Sequence, residues 1–460
     1  MSDQLADLGS LSWLEQELFE FEIDAEFWDV RVEDSIETLI QITDGEVVVC
    51  SVRPSCGAFL RVRKNGFWNL MTTTDLTTIK SSLRALSHSQ RSNPKAQPYE
   101  AEKHKKYLST TVPEKRYSQV PLEKKLTLTK SYSDVLEAVK EIASSAIHYQ
   151  DIFKIKSYIN SSGTLFEYDF NQGGMHCGFT LKDKNELFED VLRMYGTLFE
   201  DLEGRHENLK DYIVESKRFL KAPAIVPGKY KVILDPEVSG VFTHESFGHK
   251  SEADFILGNQ ETLNEWMIGK KIASELLSIV DCGMAEGTSG NCPIDDEGEP
   301  ARKNDLIRNG VLQGRLHTRE TAKALGERPT GNARAINFEH EPIVRMTSTY
   351  IEPGQDAIEN ILARSEGAIW IEGFKHGSGL STFTIAPLRG YRVGPNGTRD
   401  PVRVTVISGS VFETLKNIEA VSKEFRLYSG AIGGCGKFNQ SNLPVAFGGP
   451  YLAISEMQVS

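Results

Sequence analysis

The chain predicts an α+β fold in two domains, and three observations carry that expectation. Near the N-terminus apolar residues alternate between turn signals, the pattern of an antiparallel meander. Strand and helix patterns then follow one another without the repeated parallel units of a doubly wound sheet. Beyond residue 279 strands and turns dominate, so the C-terminal half reads as strand-rich. With 460 residues, 39% of them hydrophobic, the chain can bury two cores. The division is expected at Ala222-Pro223, giving domains 1–221 and 222–460.

Residues 13–22 make a short amphipathic helix. The meander spans 26–71, with turns at Asp44-Gly45 and Asn65-Gly66. Asp75 then caps a helix that carries Leu76, Ile79, Leu83 and Leu86. Residues 88–130 are rich in Ser, Pro, Lys and Glu and read as a long polar excursion, solvated rather than bound to nucleic acid. Ser131 with Asp134 resembles a capping box before Val135, Leu136, Val139 and Ile142. Alternating stretches at 152–159, 164–170 and 177–181 predict strands, and Leu187, Val191, Leu192, Tyr195, Leu198 and Leu202 predict a long helix over 184–220, broken near Gly204. In the second domain residues 230–234 form a strand, Pro236 opens a helix, and a further short helix is expected at 319–325.

The helix after Pro236 carries His244, Glu245 and His249. Two imidazoles with a carboxylate beside the first are what a hydrolytic zinc site needs: neutral nitrogen ligands and a group to take a proton from water. Zinc proteases of the H-E-x-x-H kind space their histidines at i and i+4. Here the second lies at i+5, about 140° round a regular helix from the first. Both can reach one metal only if the helix widens or ends between them, and Gly248 makes that cheap. The helix from Pro236 to about Asp254 is therefore expected to be irregular between Glu245 and His249.

A catalytic zinc needs a third protein ligand. Glu252 and Asp254 follow in the same segment and could serve, or could hold the imidazole N–H groups instead. His317, His340 and His376 carry no spacing argument, nor do Cys282 with Cys292 or His176 with Cys177. Cys435 lies among Gly433, Gly434 and Gly436, which let the backbone approach another element, and Lys437 nearby would favour a thiolate.

The chain resembles the TldD/PmbA family of zinc metallopeptidases, in its metal-binding TldD-type form. The resemblance rests on five motifs in order: His244-Glu245 with Gly248-His249, Glu252 and Asp254; residues 294–298 (Ile-Asp-Asp-Glu-Gly); Pro329-Thr330-Gly331-Asn332 with Arg334; Pro342 with Arg345-Met346-Thr347 and Thr349-Tyr350; and Cys435-Gly436-Lys437 with Gln440-Ser441 and Pro444-Val445. It implies zinc (Zn2+) held by His244, His249 and Cys435, with Glu245 as the catalytic carboxylate. The mechanism so implied is metal-assisted hydrolysis of unstructured peptides or leader segments. Assembly would be a homodimer, or a heterodimer with a PmbA-like subunit. Asn332, Arg334 and Arg345 are candidate peptide anchors, because Arg pairs with a carboxylate bidentately. The sequence departs from the family pattern at 372–379 and 385–389, and carries an extra residue between Ser441 and Pro444, which bears on substrate preference.

The competing function is a non-catalytic regulatory protein of the gyrase-modulator type, with a structural metal. The net charge of −12 weighs against nucleic acid, and no apolar run is long enough for a membrane helix. The acidic N-terminus lacks a signal-peptide pattern, and six cysteines in so long a chain form no dense disulfide framework, so a cytoplasmic location is expected.

Overall fold

The computed structural model describes residues 10–18, 20–88, 93, 99, 107–109, 113–379 and 381–460. The acidic N-terminus and, within the polar excursion, residues 89–92, 94–98, 100–106 and 110–112 lie outside the described residues. The fold is α+β, built on two sheets that fall on either side of residue 222. The first sheet runs in the order Phe67–Thr73, Glu46–Lys64, Phe27–Thr43, Ile142–Asn160, Leu165–Asp183, and the last of these also pairs with Glu186–Gly196 and Tyr107–Ser109. The meander turns fall where the sequence puts them: Asp44 and Asn65 adopt φ of 47° and 51°, the left-handed backbone that a tight hairpin requires. Asp75 caps as expected, accepting from Thr77 N at 3.1 Å.

Three expectations fail here, each for a physical reason. Residues 186–196 are a strand paired with Leu165–Asp183, not the start of a helix; the only long helix in this stretch is His206–Lys217. Asp190 hides the alternation. It is a buried carboxylate at an inward position, held by Arg389 Nε (2.8 Å), Ser216 Oγ (2.8 Å) and Tyr212 Oη (2.9 Å). The helix assigned to Ser131 begins earlier and spans Leu122–Glu137. Its buried face includes Lys125, whose Nζ meets Asp151 (2.8 Å) and Thr38 Oγ1 (2.8 Å), so a core position reads as polar. Residues 142–160 and 165–183 are two continuous strands, running through the stretch between Phe170 and Cys177 that reads as a gap.

The second sheet has eleven strands, and its closing strand Ala446–Val459 pairs with both Ile407–Ser410 and Gly228–Leu234. With Thr382–Val393 and Ile369–Gly379 completing the ring, this part of the sheet closes on itself. Helix Pro236–Thr243 packs against Ala446–Val459 and Ile369–Gly379, with Val238, Val241 and Phe242 in the main core. The parts of the chain on either side of residue 222 meet through ions that are largely buried. Arg61, paired with Asp29, also reaches Glu297 Oε1 (3.1 Å), Lys156 Nζ binds Asp296 Oδ1 (2.7 Å), and Tyr158 Oη donates to Glu297 O (2.9 Å).

Candidate metal centre

The site begins at a well-made helix start. Asp235 caps Pro236–Thr243 by accepting from Val238 N at 2.7 Å, and Pro236 fills the first turn where no N–H is needed. The α-helix then widens. Residues His244–Gly248 form a π turn in which His249 N–H donates to His244 O. One extra residue in the turn brings positions i and i+5 onto one face, as the odd histidine spacing demands. The two imidazole rings lie 5.1 Å apart at 80°. Gly248 permits the packing: a Cβ there would stand 2.1 Å from Met346 Sδ.

Cys435 arrives from a small hairpin, Cys435–Lys437 paired with Gln440–Leu443. Its Sγ lies 3.6 Å from His249 Nε2, and the donor atoms of His244, His249 and Cys435 all fall within 4.8 Å of one another. Among the described residues no other His, Cys, Asp and Glu converge in this way. Burial alone would raise the Cys435 thiol, but His244 and His249 beside it outweigh that and hold it well below its ordinary range. Burial alone would lower His249; hydrogen bonds to Cys435 and Glu252 win and raise it to about 10. Lys437 has a different task from promoting the thiolate. Its Nζ meets Glu252 (3.1 Å), Asp254 (2.6 Å) and Val344 O (2.8 Å).

Two imidazoles and a thiolate are a borderline-soft set suited to zinc. The cluster also leaves His244 Nδ1 buried without a hydrogen-bond partner, the kind of orphan that a ligand or solvent would satisfy. The residues therefore fit a zinc ion. Glu252 takes the supporting place, accepting from His249 Nδ1 at 3.1 Å. Glu245 is half-buried beside Gly377 and Gly379, and among the described residues its carboxylate has no hydrogen-bond or ion-pair partner.

The structure places the three candidate peptide anchors inside the protein. Asn332, Arg334 and Arg345 are buried, and apart from the unpartnered Arg345 Nε their main hydrogen bonds run to the protein itself. Asn332 Nδ2 binds Asp281 Oδ1 (2.8 Å) and Arg345 O (3.0 Å). Arg334 holds Met346 O (2.6 Å) and Pro444 O (2.8 Å), while Arg345 holds Cys435 O (2.6 Å). In this structure they shape the loops around the hairpin. His317 and His340 are engaged locally, with Thr321 and Glu327 and with Asn337. Cys292 sits against Ile294 O and Tyr168, away from the cluster.

Sequence reasoning missed Lys437 as a structural ion, yet a signal was present. It lies two residues beyond Cys435 in a strand and so faces the same side.

Residues 227–460 match the family model described as the PmbA/TldA metallopeptidase C-terminal domain, and residues 28–89 match domain 1 of the same family. The chain belongs to the PmbA/TldD metallopeptidase family. It is 32% identical over 451 residues to a metalloprotease of Synechocystis sp., covering 95% of this chain and 96% of that one. It is 31% identical over 458 residues to a protein of Saccharolobus solfataricus named a zinc metalloprotease TldD homolog, covering 95% and 97%. The structure of TldE from Thermococcus kodakarensis superposes with a TM-score of 0.74 at 17% identity, covering 100% of this chain and 99% of that one. A Thermotoga maritima structure named for modulation of a DNA gyrase gives 0.77 at 18%, covering 100% of each chain. At such identities the two structures speak for the fold alone. The PmbA/TldD relatives named metalloproteases make the chain a metallopeptidase in that general sense. No helix among the described residues is long and apolar enough to cross a membrane.

Proposed function

We propose that the protein is a zinc-dependent peptidase acting on unstructured peptides, with His244, His249 and Cys435 holding the metal and Glu245 moving the proton. The observation that carries this reading is the π turn. It sets His244 and His249 together opposite Cys435 and leaves the intervening Glu245 carboxylate unengaged. A zinc ion held by these three groups would supply Lewis acidity, acidifying water and polarising a peptide carbonyl. Glu245 is adjacent to a ligand and half-buried, and no partner among the described residues competes for its oxygens, so it takes a proton from the attacking water and returns it to the leaving amine. Glu252 keeps the His249 Nδ1 proton in place. The family resemblance and the need to keep folded proteins from an open site support a second subunit, either this chain or a PmbA-like partner, as part of the proposal.

The test is Glu245→Gln. It should retain zinc while cleavage of an unstructured peptide falls by about 10²-fold or more, the scale of a lost general base. Unchanged cleavage would remove Glu245 from the mechanism. Cleavage absent from the zinc-loaded native protein would favour the rival reading, a regulatory protein with a structural metal.

A further inference from the structure

Lys437 is an unusual residue to find beside a metal centre. Its side chain is fully buried, and so is that of Glu252. A buried ammonium is costly unless paired and hydrogen-bonded. Lys437 Nζ spends its three donors on Glu252 Oε2 (3.1 Å), Asp254 Oδ1 (2.6 Å) and Val344 O (2.8 Å), under the Phe255 ring at 4.4 Å. The same Oε2 of Glu252 accepts from His249 Nδ1 at 3.1 Å. One carboxylate oxygen therefore joins two groups that come from distant parts of the chain. Lys437 belongs to the strand that carries Cys435, and Glu252 follows His249 by three residues.

We propose that Lys437 and Glu252 are positioning residues that clamp the Cys435 strand to the His249 segment and so preassemble the donor set. This rests on the reading of the site as a metal centre. Two consequences of the geometry support it. With its Nδ1 proton pointed at Glu252, His249 presents Nε2 toward Cys435, the direction a shared ligand requires. The charges also close: a divalent cation and the ammonium are matched by the thiolate and the two carboxylates, Glu252 and Asp254. Without Lys437 the buried Glu252 carboxylate would lose its cation, with the partly exposed Asp254 adding a second negative charge beside it, and the Cys435 strand would lose its ionic tie to the helix segment.

The experiment uses the full-length protein, stripped of metal and titrated with zinc against a chromophoric chelator, then with cobalt followed by its thiolate charge-transfer absorption. Lys437→Met keeps chain length and apolar volume but removes the charge, and zinc affinity should fall by about 10–100-fold. Glu252→Gln keeps an oxygen for the His249 N–H but weakens the link to Lys437, and should fall by about 10-fold. In each variant the cobalt band should shift or weaken while the metal-free protein keeps its circular dichroism. The double variant should lose little more than Lys437→Met alone, because both changes break one clamp. Folded variants with native zinc affinity would overturn the proposal, as would losses that simply add. Should Lys437→Met not fold, Glu252→Gln decides by the same criterion. A native protein that binds no zinc would instead refute the metal reading on which the clamp rests.

Discussion

Gly248→Ala is the sharpest test of why the π turn exists. The backbone at 248 is helical, with φ −55° and ψ −55°, so alanine is not strained there. In an ordinary helix it would gain up to about 1 kcal/mol over glycine. Space decides the sign instead. The new methyl would lie 2.1 Å from Met346 Sδ and 3.1 Å from its Cε, and Met346 is fully buried. Carbon and sulfur need about 3.5 Å or more, so the thioether must retreat by roughly 1.5 Å through packed surroundings. Overpacking of that kind costs about 1–3 kcal/mol. After the full propensity gain, a net loss of up to about 2 kcal/mol is expected, with the 2.1 Å clash pointing to the upper part of that range. If the backbone yields rather than Met346, His249 moves away from Cys435 Sγ, now 3.6 Å from its Nε2, and zinc affinity falls as well. Chemical denaturation of the metal-free protein measures the first effect, and chelator competition the second. The same substitution made in a Met346→Ala background separates the clash from any general harm to the helix, since removing the thioether should recover most of the loss. If Gly248→Ala costs as much in that background as in the native protein, the steric argument is wrong.

Two further predictions follow from buried groups away from the metal. Asn332→Asp would set a second carboxylate beside Asp281, which already accepts from Thr347 N (2.9 Å), Thr347 Oγ1 (2.6 Å) and Thr349 Oγ1 (2.7 Å). An uncompensated buried charge of that kind costs about 3–5 kcal/mol, so the unfolding midpoint should drop sharply; a normal midpoint with a raised KM would restore Asn332 as a peptide anchor. His176 is held down to about 3 by burial, with Arg193 and His148 adding to it, against an ordinary value of 6.5. The unfolded chain binds the proton that the folded one refuses, so this histidine's contribution is intact above pH 6.5 and is lost as pH falls toward about 3. Stability curves of His176→Gln should be flatter over that acid range, and an unchanged slope would show that His176 is protonated in the folded protein.

Legibility in the sequence tracked how far local chemistry alone decides the structure. Asp44, Asn65, Asp75 and Pro236 act through their own backbone and side chain, and each is found doing what its residue type dictates. The irregular helix was legible for a similar reason: two histidines at i+5 can face each other only through a widened turn. What stayed hidden was decided by partners far along the chain. Asp190 reads as solvent-facing until Arg389 is brought to it, and Lys125 until Asp151 is. Asn332, Arg334 and Arg345 look like anchors for a peptide because they are polar and grouped. Their actual partners are Asp281 and carbonyls of the protein's own loops, which no spacing argument supplies.

The acidic stretch at 295–297 shows why such partners gather near the centre. Buried ions are a poor way to hold two domains together, since desolvation cancels much of the attraction and apolar packing would do as well. Their advantage is direction: charge-assisted hydrogen bonds fix a loop in one place where apolar contact would let it slide. Asp296 is fixed by Lys156 from the first domain and in turn accepts from Ala335 N (2.8 Å), while Asp295 accepts from Ala333 N (2.9 Å). Ala333 pairs with Val344, the next residue Arg345 donates its N–H to Asn332 O (2.8 Å), and the Arg345 guanidinium reaches Cys435 O (2.6 Å). Each link is a directed hydrogen bond or ion pair, and all but the half-buried Lys156 join buried groups. The carbonyl of the proposed cysteine ligand is thus braced, step by step, from the first sheet, in addition to the Lys437 tie to the helix segment. A hairpin with only its own short pairing to Gln440–Leu443 could not hold a thiolate at a fixed distance from two imidazoles, and this bracing accounts for buried ions at a position where they add little to stability.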